Sequence, residues 1–304
     1  MGLISIITVN FNQPQATLEL LRSIEELYPE ANIEIILVDN GSKVNHEEDF
    51  KKINIPLIYI RSEVNLGFAG GNNLGIKSAK GEILFLVNND TEFTPGLLET
   101  LSETLTSNPK IGMVSPKINY FDNKDIVQYA GFTPMNYFTC RNECIGQFET
   151  DNGQFDNRVG PTGYAHGAAM MISRKALQKA GTMSENFFLY YEEMDWCEMI
   201  MKVGFEIWIN TNAMIYHKES LSVGKNSALK EFFMNRNRIL FIRRNAIPVQ
   251  KIVFYLYFVT FVTPRNVLKY LLDRTPSFIP VLFRAIIWNI TQKTTSKYLG
   301  FVIK

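Results

Sequence analysis

The sequence predicts an α/β fold in which a mostly parallel central sheet is flanked by helices. In the first third of the chain, short β-branched and apolar runs alternate with segments whose apolar residues have helical spacing. Several of these runs end in asparagine or aspartate. Because the carboxyl ends of parallel strands meet at one edge of a sheet, we expect these polar side chains to lie together there.

The first elements form β-α units. The strand ISIITVNFN begins at Ile4, and the helix TLELLRSIEEL that follows is expected to end before Pro29, since proline disfavours helix at the preceding residue. The second strand, IEIILVDNGS, ends at Asp39. After a third strand, PLIYIRSE, the Gly-rich turn NLGFAGGNN leads into a short helix, and the fourth strand, EILFLVNND, ends at Asp90. Asp39 and Asp90 are therefore expected at the same sheet edge.

The elements after Asp90 are less regular. A helix over PGLLETLSETLTSNP and the strand IGMVSPKI precede residues 120–163, a stretch without clear periodicity that is either a functional loop or a decorated hairpin. GYAHGAAMMISRKALQKAG predicts another strand and helix. Residues 187–191 predict an aromatic strand, and the acidic residues after it begin a helix that ends at Gly204. A further strand ends at His217, before a Ser-Gly loop.

Three acidic residues, Glu192, Glu193 and Asp195, follow the aromatic run directly. Acidic residues at a helix N-terminus complement the macrodipole, but three exceed what this requires. An apolar surrounding raises the pKa of a carboxyl group toward the range in which a general base works. We interpret this cluster as a candidate catalytic centre.

Composition restricts the partners and the cellular compartment that are expected for the protein. A chain of 304 residues with 46% hydrophobic residues can bury a large core, and a formal net charge of +1 argues against a general affinity for nucleic acid. Cys140, Cys144 and Cys197 cannot all pair, and no second Cys or His pair at zinc-site spacing accompanies Cys140 and Cys144, which indicates a reducing compartment. No charged-then-apolar leader precedes Ile4. We expect a cytoplasmic protein, free or peripheral on the inner face of the cell membrane.

The motifs VNFN, VDNGS, NLGFAGGNN, LVNNDT, YYEEMDW and IYH, in this order, resemble glycosyltransferase family two, and within it the rhamnosyltransferase-like branch. The resemblance covers about Ile4 to Arg244. It implies a GT-A fold over residues 1–245, with a Rossmann-like donor half at about 1–118 and an acceptor half at about 119–245. A helical C-terminal extension, residues 246–304, follows.

The resemblance also implies a reaction, in which an inverting, metal-dependent enzyme moves a hexose, expected to be rhamnose, in cell-surface polysaccharide synthesis. The donor is a dTDP- or UDP-sugar, and the acceptor is a saccharide, free or polyprenyl-linked. Asp90 and His217 are implied to hold Mn²⁺ or Mg²⁺ on the diphosphate. The donor-binding positions implied are Val9, Asn10, Asn12, Asp39, Asn40, Asn65, Gly67, Gly71, Asn72 and Asn89, and those on the acceptor side are His166, Gly167 and Trp196.

The base implied by the resemblance is Glu193, with Glu192 and Asp195 as alternatives. Two departures from the family pattern bear on this assignment: Glu193 stands where Asp is commoner, and Met199 stands where Arg is frequent. A nucleotidyltransferase and a non-catalytic sugar-nucleotide binding module are the alternative functions. A nicotinamide enzyme is disfavoured, because the Gly-rich segment does not fit GxGxxG and follows the third strand.

The C-terminal part places basic residues, in MNRNRILFIRRNAIPVQK, beside the aromatic run IVFYLYFVTFVT. This run is shorter than the ~20 residues that span a bilayer, and Pro264 follows it. Arginines 236–244 together with the aromatic run predict an interfacial anchor on anionic lipid, from about Lys251 onward. A helical cap on the main domain, or a contact in a homodimer, is the alternative.

Overall fold

A computed structural model of the protein describes residues 2–218 and 227–303. The strands are β1 (Ile4–Asn10), β2 (Ile33–Asn40), β3 (Leu57–Ser62), β4 (Ile83–Val87), β5 (Thr91–Phe93), β6 (Ile111–Tyr120), β7 (Val127–Tyr129), β8 (Val159–Pro161), β9 (Ala169–Ser173) and β10 (Glu206–His217). The helices are α1 (Pro14–Leu27), α2 (Glu47–Phe50), α3 (Gly67–Ser78), α4 (Leu97–Ser107), α5 (Arg174–Ala180), α6 (Glu192–Lys202), α7 (Ala228–Asn245), α8 (Pro248–Tyr257), α9 (Thr263–Leu272) and α10 (Phe278–Thr291). The Ser-Gly loop predicted after His217 lies outside the described residues.

The strands form one mixed sheet in the order β3-β2-β1-β4-β9-β6-β10-β5, with β7 on β6 and β8 on β10. The first four strands of this order are parallel, as predicted, and β6 is parallel to β10. Strand β9 runs antiparallel to both neighbours and so joins the two parallel parts. This α/β architecture confirms the predicted fold class.

Helices cover both faces of the sheet because successive strand residues point to opposite sides. In β1, Ile6 packs in the core that includes Leu20 of α1 and Leu101 of α4. The next residue, Ile7, packs in the core that includes Ile76 of α3 and Trp196 of α6. The near-continuous apolar runs of β1, β2 and β4 follow from burial on both faces.

One predicted element differs in the structure, and one choice between two predicted alternatives is decided by it. Residues 187–191 are not a strand: the 3₁₀ turn Glu185–Phe187 is followed by an irregular segment in which Phe188, Tyr190 and Tyr191 have positive φ. In residues 120–163, β7 pairs back onto β6, and β8 pairs with β10. The decorated hairpin is therefore the better description of that stretch.

The C-terminal helices pack against the rest of the protein. A π-helical segment, Phe258–Val262, joins α8 to α9 immediately before Pro264, whose ring is incompatible with a regular α-helical turn. The inner side of this continuous helix buries Phe254 and Phe258 in the core that also contains Trp288 of α10. In the part of the chain that the structure describes, no helix combines the length and apolarity needed to cross a membrane.

The arginines expected to supply positive charge to a membrane anchor make internal contacts, and the anchor itself stays a prediction. Arg236 is fully buried, and Arg244 Nε donates to Asp195 Oδ1 at 2.9 Å. The backbone or side-chain oxygens of other elements also accept hydrogen bonds from Arg238 and Arg243. Because these guanidinium groups are buried or paired within the protein, the exposed cations of α9 are better placed to face a lipid surface.

Candidate active site

A cavity of about 400 Å³ lies at the carboxyl edge of β1, β2 and β4. Its volume is in the range of small-molecule sites. Seven of the predicted site residues line it, namely Val9, Asn40, Asn65, Gly67, Asn72, Asn89 and Asp90. The polar ends of the parallel strands therefore meet at one place, as their order in the sheet requires.

Asn10 and Asp39 are internal and do not line the cavity, and their contact with a donor stays a prediction. Both are 0% exposed. Asp39 Oδ1 accepts a hydrogen bond from the Ser42 backbone N–H (2.8 Å), and Oδ2 accepts one from the Tyr59 hydroxyl (3.1 Å). Asn10 Nδ2 donates to Ser42 Oγ (3.2 Å). These two side chains hold together the loops that follow β1 and β2.

Asn12 and Gly71 also stand outside the cavity lining. Asn12 has left-handed backbone dihedrals (φ 54°), and its Oδ1 accepts from the Lys43 backbone N–H at 2.9 Å. A methyl group on Gly71 would lie only 2.9 Å from Val9 Cγ1 and 3.2 Å from Asn40 Nδ2. Glycine at position 71 therefore allows α3 to pack closely on β1 and β2.

Gly67 connects the Gly-rich turn to the segment before the acidic cluster. Its φ is 74°, and a methyl group on it would lie 2.2 Å from the carbonyl oxygen of Phe188. The same oxygen accepts a hydrogen bond from the Phe68 backbone N–H at 2.7 Å. Because Phe188 and Leu189 also line the cavity, the predicted donor loop and the aromatic segment form adjoining walls.

The side chains of Asp90 and His217 are buried and face each other, with 3.2 Å between Oδ1 and Nε2. His217 Nδ1 lies 2.8 Å from Gln128 Oε1, which can only accept, so Nδ1 donates there, and Nε2 lies 3.4 Å from Asn88 Nδ2. Within residues 2–218 and 227–303, Asp90 Oδ1 has no hydrogen-bond donor. A carboxylate oxygen and an imidazole nitrogen, with the other ring nitrogen held by an amide, fit a divalent cation.

The described ranges contain no group of three or more His, Cys, Asp and Glu side chains suited to hold a metal ion. Asp90 and His217 would therefore bind a cation together with oxygens of a substrate and water, a common arrangement for Mg²⁺ at phosphates.

His166 and Gly167 lie between the two candidate chemical centres. The His166 ring stacks on Phe132, with an interplanar angle of 7°, and meets the His217 ring edge-on at 6.2 Å. Burial, with a further contribution from His217, lowers the pKa of His166 to about 3, so the ring is neutral near pH 7. A methyl group on Gly167 would lie 3.6 Å from Glu193 Cγ. Gly167 thus leaves space beside the Glu193 carboxyl group.

Glu192 and Glu193 begin α6 in a poorly solvated environment. Burial raises the pKa of both carboxyl groups, and the charge of Glu193 raises that of Glu192 further. Glu192 is 2% exposed, and its Oε2 has no hydrogen-bond partner within the described part of the chain. Glu193 is partly exposed. A partly exposed carboxylate of raised pKa can accept a proton near neutral pH.

Asp195 and Trp196 face inward from α6. Asp195 is 0% exposed and accepts hydrogen bonds from Arg244 Nε (2.9 Å) and Asn245 Nδ2 (2.8 Å). Trp196 is also 0% exposed, and its Nε1 donates to the Gly181 carbonyl oxygen at 2.8 Å. A buried ion pair and a core indole hold α6 in place, which favours the two glutamates over Asp195 as the base.

The aromatic segment, residues 187–191, is held in its unusual conformation by Asn237 of α7. Three of its residues have left-handed φ values of 67° to 72°, a conformation that costs about 1–3 kcal/mol per non-glycine residue. Asn237 Nδ2 lies 2.9, 2.7 and 2.7 Å from the carbonyl oxygens of Phe187, Leu189 and Tyr190, which share its two N–H donors. These contacts fix the backbone that leads directly into Glu192 and Glu193.

Arg236 supports the same segment and connects it to the C-terminal residues. Its Nη2 donates to the Phe187 carbonyl oxygen (2.9 Å), and its Nη1 donates to that of Leu299 (2.8 Å). The guanidinium lies 4.6 Å from the ring of Trp288. Burial lowers the pKa of Arg236 to about 9, so it remains charged at neutral pH. The C-terminal extension therefore contributes to the frame around the acidic cluster.

Residues 5–181 match the family model described as Glycosyl transferase family 2, more than half of the chain. The chain belongs to this family. Membership confirms the family recognised from the motifs and, with it, the class of protein, a glycosyltransferase.

Relatives in the family include two with named activities. Low-salt glycan biosynthesis hexosyltransferase Agl10 of Haloferax volcanii is 28% identical over 200 residues, which are 64% of this chain and 60% of that protein. N-acetylglucosaminyl-diphospho-decaprenol L-rhamnosyltransferase of Mycobacterium tuberculosis is 20% identical over 244 residues, 73% of this chain and 78% of that protein. This family 2 chain thus spans less than two thirds of the Haloferax relative.

A solved structure of similar fold is the mannosyltransferase PcManGT from Pyrobaculum calidifontis, in complex with GDP-Man and Mn²⁺. The two chains share 15% identity at a TM-score of 0.58, over 96% of this chain and 76% of that one. At this identity the similarity concerns the fold alone, and it agrees with the GT-A fold predicted for a family 2 member.

Several residues of the site were missed from the sequence. The sequence signal for Phe68 is only that it is the one aromatic residue among the glycines of NLGFAGG. Asn237 was signalled by its place, with arginines, in a helix that is otherwise apolar. Gln128 gave no local signal, because its contact with His217 joins positions 89 residues apart.

Proposed function

We propose that this family 2 chain is an inverting, metal-dependent glycosyltransferase that moves a hexose from a nucleotide diphosphate sugar to a saccharide acceptor. The observation that carries the proposal is the Asp90–His217 pair, of which Asp90 lines the cavity and has a carboxylate oxygen that lacks a donor among the described residues. A diphosphate bound in this cavity would carry negative charge, and a cation held by Asp90 and His217 would neutralise that charge.

The donor is assigned to the cavity between the Gly-rich turn and the ends of β1, β2 and β4. Asn40, Asn65 and Asn89 supply amide groups there, and Val9 supplies an apolar contact. Asn40 is already oriented, since its Oδ1 accepts from the Leu66 backbone N–H (2.9 Å) and its Nδ2 donates to the Gly67 carbonyl oxygen (3.0 Å). A preordered pocket lowers the entropic cost of binding a flexible nucleotide sugar.

Asp90 and His217 are assigned to a divalent cation, Mn²⁺ or Mg²⁺, which when bound acts as a Lewis acid on the diphosphate. The Mn²⁺ in the PcManGT complex supports a divalent cation in this fold. Gln128 would hold the His217 ring through Nδ1, which orients Nε2 toward Asp90 and the cation.

Glu193 is assigned as the general base. It takes the proton of an acceptor hydroxyl while that oxygen forms a bond to the anomeric carbon from the face opposite the diphosphate. The bond from the anomeric carbon to the diphosphate oxygen breaks, and the diphosphate leaves with the bonding electron pair. Such proton transfer contributes about 10²- to 10⁴-fold to rate. Glu192, which is nearly inaccessible, is the alternative base.

The sugar proposed is rhamnose, from a dTDP- or UDP-linked donor, and the acceptor is a saccharide that is free or carried on a polyprenyl lipid. The relative named as an L-rhamnosyltransferase acting on a diphospho-decaprenol acceptor supports this choice. Family membership argues against a nucleotidyltransferase, and the two acidic residues at the start of α6 argue against a module that only binds.

A thermal-shift panel of dTDP, UDP and GDP, their sugar derivatives and nucleoside triphosphates, each with and without Mn²⁺, tests the proposal. The expected result is a rise in Tm with one nucleoside diphosphate that requires Mn²⁺, because a ligand of the native state alone stabilises it. Asp90→Ala and His217→Ala should lose this Mn²⁺-dependent rise, whereas Asp122→Ala, at an exposed position, should keep it. An unchanged response in both site variants would refute the metal site.

A further inference from the structure

The outer side of the helix formed by α8, the π segment and α9 is apolar. Six large apolar side chains on it are 57–73% exposed, namely Ile252, Leu256, Val259, Phe261, Leu268 and Leu272. We call these six residues the apolar face. The inner side of the same helix is apolar as well, and its residues Phe254, Phe258 and Val262 lie in the core. A surface helix that only caps a domain carries polar residues on its outer side, so this face is unusual for a free surface.

Exposed cations accompany the apolar face. On α9, Arg265 and Lys269 are exposed and lie four residues apart, and Leu268 and Leu272 follow Arg265 by three and seven residues. These four positions share one side of a helix. Basic residues among exposed aliphatic ones are typical of a helix that lies in a membrane interface.

The charge of the C-terminal residues differs from that of the rest of the chain. Residues 246–304 contain eight Lys and Arg and a single acidic residue, Asp273, which gives a net charge of +7. The whole chain carries +1, so residues 1–245 carry −6. Positive charge is thus concentrated in the part of the molecule that bears the apolar face.

We infer that the apolar face docks on an anionic lipid surface, with its aliphatic and aromatic side chains among the headgroups and with Arg265 and Lys269 against lipid phosphates. The charge selects this occupant, because a symmetric contact between two copies would bring two segments of +7 together. The cations involved are those of α9 and the following residues, since the arginines of α7 make internal contacts. Docking is independent of the transfer reaction.

Vesicle co-sedimentation of the full chain, without nucleotide sugar, tests this inference. The chain should bind vesicles of phosphatidylglycerol in phosphatidylcholine, bind phosphatidylcholine alone much more weakly, and lose binding as salt increases. Lys269→Glu and Leu256→Glu should each weaken vesicle binding at least about tenfold. For each unit of charge that is changed, binding loses about the attraction that one basic residue has for an anionic surface.

Matched controls lie outside the C-terminal segment. Phe148→Glu changes an apolar residue that is 71% exposed, and Lys175→Glu reverses an exposed charge on α5. Both should bind within about twofold of the unchanged chain, as expected for charges far from the lipid. If Leu256→Glu fails to fold, Lys269→Glu decides, because it alters only an exposed charge.

Three results would overturn the inference. The first is equal binding to phosphatidylcholine alone, and the second is an equal loss in the control variants. The third is that the unchanged chain does not bind phosphatidylglycerol vesicles at low salt but forms a dimer that Leu256→Glu dissociates, as measured by sedimentation velocity. That last outcome would assign the apolar face to a second copy of the chain.

Discussion

Replacing Asn237 by leucine should lower the stability of the fold and should also disturb the position of the proposed base. The two N–H groups of the Asn237 amide are shared among three carbonyl oxygens of the aromatic segment, and leucine has a similar size but no donor. Phe187 keeps its contact with Arg236, so two carbonyl oxygens lose their Asn237 donor. At about 1–2 kcal/mol each, the free energy of unfolding should fall by about 2–4 kcal/mol. For a chain of this size, Tm should fall by about 3–6 °C.

The activity of Asn237→Leu should fall more than its stability explains. The segment that Asn237 holds ends next to Glu192 and Glu193, and a shift of about 1 Å in a base can cost about 10²-fold in rate. Turnover is measured well below the variant's Tm, and we expect kcat to drop at least about tenfold with a donor Kd close to that of the parent.

Asn235→Leu is the matched control for this experiment. Asn235 is a buried amide of the same helix, but it bonds to Glu231 within α7 and to Asn266 of α9. It should lose stability in a similar way and keep kcat. If Asn237→Leu retains kcat within about twofold below its Tm, hydrogen bonding from α7 does not set the base geometry, and the reasoning fails.

Three further predictions concern single residues of the site. Glu193→Gln should lower kcat about 10²-fold or more without changing donor affinity. In the pH–rate profile of the parent protein, kcat should rise with pH through a pKa above the ordinary range of Glu. Glu192→Gln should raise Tm at neutral pH. The pKa of Glu192 is raised in the folded protein, so the fold loses stability as pH rises above the ordinary Glu range, and glutamine removes this loss. In melts at acid pH, below that range, the gain in Tm should vanish. Gly67→Ala should abolish donor binding in calorimetry, whereas Gly204→Ala, also at positive φ but in open space, should bind normally.

The sequence predicted the elements that depend on local pattern. The cavity residues Asn40, Asn89 and Asp90 follow apolar strands, and parallel strand order alone brings them to one edge. Burial of Asp39 and Trp196 depended on contacts with other elements, so their side chains turned out to be internal. Residues that support others from a distance had no pattern to reveal them.

The aromatic segment was mistaken for a strand because its composition is that of a strand. Its left-handed residues are stabilised by α7, which follows it by almost forty positions in the chain. Tertiary hydrogen bonds here override local propensity, as expected where a functional geometry requires strain.

The contact between Arg236 and Leu299 has a consequence for biosynthesis. The two residues are 63 positions apart, and Arg236 in turn holds the backbone before Glu192. Strands β1 to β4 can pair while the chain is still being translated, but the acidic cluster cannot reach its final arrangement until residue 299 has left the ribosome. A nascent chain would therefore pair the strands of the donor side first, and it would gain the ordered base and the cavity wall formed by Phe188 and Leu189 only after synthesis of the C-terminal residues.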